Sequence, residues 1–177
     1  MKSAEIKEFF FRIKNEIEDS DEQPGSVLTK IYTDYLYDNG TISDYELLYF
    51  EKDATKYSEI RINGFSFSEE DQRLDLFITH YNPSEKIEEI KFSKILELID
   101  CAKNFYTQST KKLYEKINSK EDAYDISKSI FNNAKNISIV RIFVFTNYTC
   151  EKLPQNRKER KVEFQNYLYD INQIYRS

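Results

Sequence analysis

Ile137-Ser138-Ile139-Val140-Arg141-Ile142-Phe143-Val144-Phe145 is apolar at every position except Ser138 and Arg141. A strand with one wet face alternates apolar and polar side chains. A run this continuous belongs instead to a strand covered on both faces, in the middle of a sheet. A central strand of that kind needs further elements packed over both faces of its sheet.

The flanking sequence supplies them. Upstream, Ser119-Lys120-Glu121-Asp122 has the form of a capping box and opens a predicted helix that ends near Ala134. Before it, Ile95, Ile99, Ala102 and Tyr106 recur at helical spacing over residues 92 to about 108. Earlier still come strand signals. Residues 46–50 are short, aromatic and aliphatic. Residues 59–67 place Ile60 and Ile62 in one phase and Phe65 and Phe67 in another, with the slip at Asn63-Gly64. Asn-Gly is either a hairpin turn or a bulge in one longer strand; arms of about four residues favour the bulge. Residues 73–81 alternate Leu74, Leu76 and Ile78 against Asp75, Phe77 and Thr79. Two helices precede the strands. One carries Ile6, Phe9, Phe10, Ile13 and Ile17. The other, capped by Ser26, carries Val27, Leu28, Ile31, Tyr32, Tyr35 and Leu36, and stops at Gly40. Downstream, a polar loop over residues 147–160 leads to a last strand, residues 161–169, and Asp170 caps a short closing helix.

The expected fold is therefore α/β: a central mixed β-sheet of about five strands flanked by helices. Residues 1–24 form an N-terminal helix and acidic linker, and residues 25–177 one α/β domain. The closing stripe of Ile171, Ile174 and Tyr175 has barely begun when the sequence stops, which suggests the N-terminal part of a longer protein.

Composition excludes several functions. No apolar run approaches a membrane span, and the N-terminus leads into an amphipathic stretch rather than a signal peptide, so a cytoplasmic location is expected. Two cysteines, Cys101 and Cys150, make no disulfide framework. One histidine, His80, rules against a His-rich metal site or a Cys-His nucleophile. Three glycines cannot supply a phosphate-cradling loop. A net charge of −5 argues against a surface coated with phosphate-binding charge. A local basic cluster, Arg157, Lys158, Arg160 and Lys161, is either a nucleic-acid contact or a solvated loop.

Carboxylates remain. Asp75 lies in Leu74-Asp75-Leu76-Phe77-Ile78, where an ionised acid is costly unless it is paired or metal-bound. As a Mg²⁺ ligand it would act with Glu46 or Asp44; otherwise it is a structural ion-pair partner. Helix, three-strand meander, helix, strand is similar to the core order of PD-(D/E)xK nucleases. Those enzymes hold Mg²⁺ between an Asp and a Glu on successive strands, and a Lys two residues after the Glu orients the water. Asp75 can stand as the first acid, with Glu89-Ile90-Lys91 supplying Glu89 and Lys91. The Glu-x-Lys form also occurs at Glu5-Ile6-Lys7 and Glu159-Arg160-Lys161. If the Asp75 strand is instead the third of the meander, the lysine position falls on Phe77 and the site is dead.

From about residue 25 the chain resembles the N-terminal region of the AIPR family, the abortive-infection phage-resistance proteins. The segments that carry the resemblance, in order, include Ile31-Tyr32-Thr33-Asp34-Tyr35-Leu36, Gly40-Thr41-Ile42-Ser43-Asp44-Tyr45-Glu46 and Arg61-Ile62-Asn63-Gly64-Phe65. Leu74-Asp75-Leu76-Phe77-Ile78, Val140-Arg141-Ile142-Phe143 and Tyr169-Asp170-Ile171-Asn172-Gln173-Ile174-Tyr175-Arg176 follow. The resemblance implies bacterial antiphage defence and a longer parent protein whose C-terminal region is a partner. Two functional expectations stand: a divergent Mg²⁺-dependent nuclease-like domain, and a non-enzymatic recognition or scaffold domain, with a homo-oligomer as one form of assembly.

Overall fold

The computed structural model describes residues 2–55 and 58–176. Helices α1 (Lys2–Glu18) and α2 (Pro24–Asp38) lead into a meander of β1 (Glu46–Thr55), β2 (Ser58–Ser68) and β3 (Arg73–His80). Then α3 (Phe92–Ser109), a 3-10 turn at Leu113–Lys116 and α4 (Ala123–Asn133) cross over to β4 (Ile139–Thr146). A hairpin of β5 (Arg157–Glu159) and β6 (Val162–Tyr169) follows, and then α5 (Ile171–Arg176). Among the described residues no helix is long and apolar enough to cross a membrane.

The strands form one mixed sheet in the order β1-β2-β3-β4-β6-β5. The meander is antiparallel, β3 and β6 both run parallel to β4, and β5 returns antiparallel along β6. A parallel joint needs a long crossover, which α3 and α4 supply between β3 and β4. The strand read as central from its unbroken apolar run is central: Val140, Ile142, Phe143, Val144 and Phe145 of β4 are wholly buried.

Each face of the sheet buries its own core, as strand alternation dictates. Leu74, Leu76 and Ile78 of β3 and Ile142 of β4 pack with Ile95, Leu98 and Phe105 of α3 and Ile130 of α4. Phe77, Phe143 and Phe145 pack on the other side with Phe10 of α1, Leu28, Tyr32 and Leu36 of α2, and Ile171 of α5. The first helix is part of this second core, burying Phe9, Phe10, Ile13 and Ile17 in it.

Several local expectations need correction. The sheet has a sixth strand, because three residues of the supposed polar loop, Arg157–Glu159, pair with β6. β1 runs to Thr55 rather than stopping near Phe50. The cap of α2 is not Ser26: the helix opens at Pro24, whose fixed φ and missing N–H suit a first turn. The box before α4 sits one residue earlier than read. The Asn118 amide donates to the Glu121 carboxylate, the Lys120 amide donates to the Asn118 side chain, and the helix proper starts at Ala123. Other turns are as read. Gly40 takes φ +75 just past α2. Asp170 caps α5, accepting from the amides of Asn172 and Gln173 at 2.9 and 2.8 Å.

The phase slip at Asn63-Gly64 lies within the unbroken strand β2. The β2–β3 ladder ends at Gly64 opposite Phe77, and beyond it side chains replace backbone pairing. The Asn63 side-chain oxygen accepts from the Thr79 amide at 2.9 Å, and Arg61 Nη2 donates to the Thr79 carbonyl at 2.6 Å. On the other side the register with β1 shifts between Leu47 and Phe50, so β1 carries the extra residue.

Candidate functional site

Asp75 sits in β3 directly opposite Arg141 of β4. Its side chain is 1 % exposed and turned to the face covered by α1 and α2. Arg141 grips it with two donors: Nε to Oδ1 at 2.7 Å and Nη2 to Oδ2 at 2.5 Å. Arg73 adds a third cationic approach, Nε to Oδ1 at 3.5 Å. The same Arg141 Nη2 donates to the Thr41 carbonyl at 3.1 Å, and its guanidinium lies 5.1 Å from the Phe143 ring centre. The pair thus ties β3, β4 and the turn after α2 together, where the guanidinium fork matches a carboxylate in plane and spacing.

Burial is the largest influence on the Asp75 carboxyl and lifts it above its ordinary range, against the pull of Arg141 and Arg73. Burial also opposes the charge on Arg141, yet the bonds to Asp75 hold that guanidinium above its ordinary value. An acid whose folded pKa is raised binds its proton more readily folded than unfolded. Stability from this group therefore falls as pH climbs through the window between the two values, and the pair supplies no protection that acid would remove. Such a pair is costly to bury and costlier to break.

The other residues expected beside Asp75 are elsewhere. Glu89 forms an isolated bridge with Thr149, beyond the ends of β3 and β4, and Lys91 is the residue that precedes α3. Asp75 lies five residues before the end of β3, so roughly 16 Å of strand separates it from that end of the sheet. Glu46 pairs with Phe65, and Phe65 with Leu76; cross-strand partners share a face, and this one is the α3–α4 face, opposite the one Asp75 uses. The Asp75 strand is the third of the meander, and the position two residues on is Phe77, wholly buried and stacked on Phe145 at 5.7 Å. A Mg²⁺ ion does not fit at Asp75, whose two oxygens are already bound by a guanidinium. Among the described residues no group of three or more acids, histidines or cysteines is arranged to hold a metal.

Asp44 and Glu46 instead line a groove of ≈ 790 Å³ between the start of β1 and α4, together with Asp122 and Asp125. Its apolar lining includes Leu48, Phe65 and Ile126, and among the described residues neither lysine nor arginine lines it. The basic residues Arg157, Lys158, Arg160 and Lys161 are all exposed on the β5–β6 hairpin, where Arg160 makes the turn with φ +56. Glu159 of the hairpin is tied to Lys103 of α3.

His80 stacks on Tyr148 with ring centres 5.6 Å apart, and burial pulls its pKa below the ordinary value. Cys101 is buried, which pushes its thiol up to about 11, and so it is no nucleophile. Sequence reading passed over Arg141 as a partner, although a lone arginine in one apolar strand and a lone aspartate in another were the signal. It also passed over Asp122 and Asp125, whose spacing of three at a helix start puts both on one side.

No curated protein and no solved structure matches the chain. Residues 28–176, from early in α2 to the end of α5, match the family described as the abortive infection phage resistance protein N-terminal domain. That span holds the whole sheet, the Asp75–Arg141 tie, the acidic groove and the basic hairpin, and the chain belongs to this AIPR N-terminal family of antiphage abortive-infection proteins.

Proposed function

We propose that this chain is a non-catalytic recognition and assembly domain of an abortive-infection protein, positioning the remainder of its parent protein rather than cutting nucleic acid. One observation carries the reading. Asp75, the first acid of the nuclease-like reading, has both oxygens bound by Arg141. A carboxylate so engaged, 1 % exposed and flanked by the guanidiniums of Arg141 and Arg73, is surrounded by positive charge that repels a metal ion, and Phe77 fills the position where a water-orienting lysine would stand. The rigid sheet then serves to hold surfaces in fixed relation, and the surfaces with character are the acidic groove and the basic hairpin.

The melting temperature of Asp75→Asn separates this reading from the nuclease-like one by sign. As a structural tie, the substitution strands the Arg141 charge and costs about 3–5 kcal/mol, with or without Mg²⁺. The double replacement Asp75→Leu with Arg141→Met should then recover most of that loss, because it removes both charges. As a metal ligand, Asp75→Asn would leave stability unchanged or higher, and would abolish a Mg²⁺-induced stabilisation visible in the parent. That second pattern would overturn the assembly reading and restore the nuclease.

A further inference from the structure

The sheet has two free edges, β1 and β5, and they differ in charge. At the β1 end, Asp44, Glu46, Asp122 and Asp125 surround the groove with its apolar floor. None of the four makes a side-chain ion pair or hydrogen bond among the described residues. At the β5 end, Arg157, Lys158, Arg160 and Lys161 project from the hairpin, equally unpaired, and Leu153 on the approach to it is 59 % exposed. The hairpin is anchored rather than loose: Glu159 is tied to Lys103, and Asn166 of β6 donates to the Gln155 carbonyl and accepts nothing in return at its buried oxygen. Among the described residues, four unpaired acids around a partly apolar groove thus lie toward one edge of the sheet, and four unpaired bases beside an exposed leucine lie at the other.

We infer that the acidic groove of one copy of this chain receives the basic β5–β6 hairpin of a second copy, giving head-to-tail association along the sheet direction. The occupant is a second copy because the chain itself carries the complement in charge and in apolar surface. The alternative of two like ends meeting places four acids against four acids. The net charge of −5 opposes any association at long range, but at physiological salt charges are screened beyond roughly 8 Å, so the local complement decides. An interface that joins unlike patches does not close on itself after two copies; it generates a ring or an open chain. The proposal rests on the assembly reading above, and its test is independent of Asp75.

Sedimentation velocity of the intact chain over a concentration series, at low and at high salt, should show association that rises with concentration and weakens with salt. Reversing the hairpin (Arg157→Glu with Lys158→Glu) or the groove (Asp122→Lys with Asp125→Lys) should each weaken association by more than about tenfold, since like charges then meet. Mixing the two reversed variants should restore it, because each again offers its partner an opposite charge. Milder neutral versions (Arg157→Gln with Lys158→Gln, and Asp122→Asn with Asp125→Asn), checked for parental melting, should each weaken association in the same direction but by less, because attraction is lost and no repulsion is added. A chain that stays monomeric at every concentration overturns the inference. So does loss on one side only, a mixture that fails to recover, or a monomer whose hairpin instead retains a short oligonucleotide.

Discussion

Gly64 lies where β1 and β2 approach too closely for any side chain. A Cβ built there would stand 2.7 Å from the Glu46 carbonyl oxygen and 3.1 Å from Phe77 Cδ2. The first of these is backbone, which cannot rotate away. Gly64→Ala should therefore cost about 1–3 kcal/mol, the usual range for overpacking, measurable as a lowered denaturation midpoint. A midpoint equal to that of the parent would mean that β1 gives way there without penalty. In the sequence this residue was legible only as a phase slip, and both a turn and a bulge satisfied it. What decides between them is the distance to β1, a relation between segments that no local pattern encodes. Asp75 shows the same limit. Its oddity in an apolar strand was plain, and so was that of Arg141. Their meeting depends on the parallel register of β3 and β4, which is set by the crossover through α3 and α4.

At the scale of elements, burial decides what sequence can reveal. β4 was legible because both its faces are covered and its side chains say so. Ile142 is wholly buried, so Ile142→Asp leaves a charge with no partner in the core. The expected outcome is a chain that does not fold, seen as loss of the soluble, cooperatively melting species. A soluble mutant with a sharp melt would remove β4 from the centre of the sheet. β5 was invisible for the converse reason: its three residues are all exposed and all charged, so no alternation betrays a strand. Its existence follows from β6 offering an edge and from the turn at Arg160, not from its own composition. The starts of α2 and α4 were misplaced by a few residues because several polar residues in each lead-in can cap, and the final choice is made by tertiary packing. The candidate sites divide in the same way: acids and bases were legible by type, while their sorting onto opposite faces and opposite edges of the sheet was not.

At the scale of the whole molecule, the core over one face of the sheet includes a helix that lies outside the family match. The match begins at residue 28, yet α1 packs on α2 and α5 and buries Phe9, Phe10, Ile13 and Ile17 in the core over one face of the sheet. Phe9 meets the Tyr175 ring edge-on at 5.4 Å, and Tyr175 donates to Glu5 at 3.1 Å, so the first helix clasps the last. Without α1, the apolar sides of α2 and α5 that face it would be open to water. If that face is one cooperative unit with the sheet, truncating Phe10→Ala should cost about 3–5 kcal/mol, which for a chain of this size lowers the melting temperature by about 10 °C. Deleting residues 1–22 should lower it further and raise the binding of a dye that reports exposed apolar surface. The alternative is that α1 is an appendage that docks weakly on a self-sufficient body. The shortened chain would then melt where the parent does, bind no dye, and keep its amide exchange protection in α2 and α5, and that result would leave α1 a helix that the rest of the domain does not need.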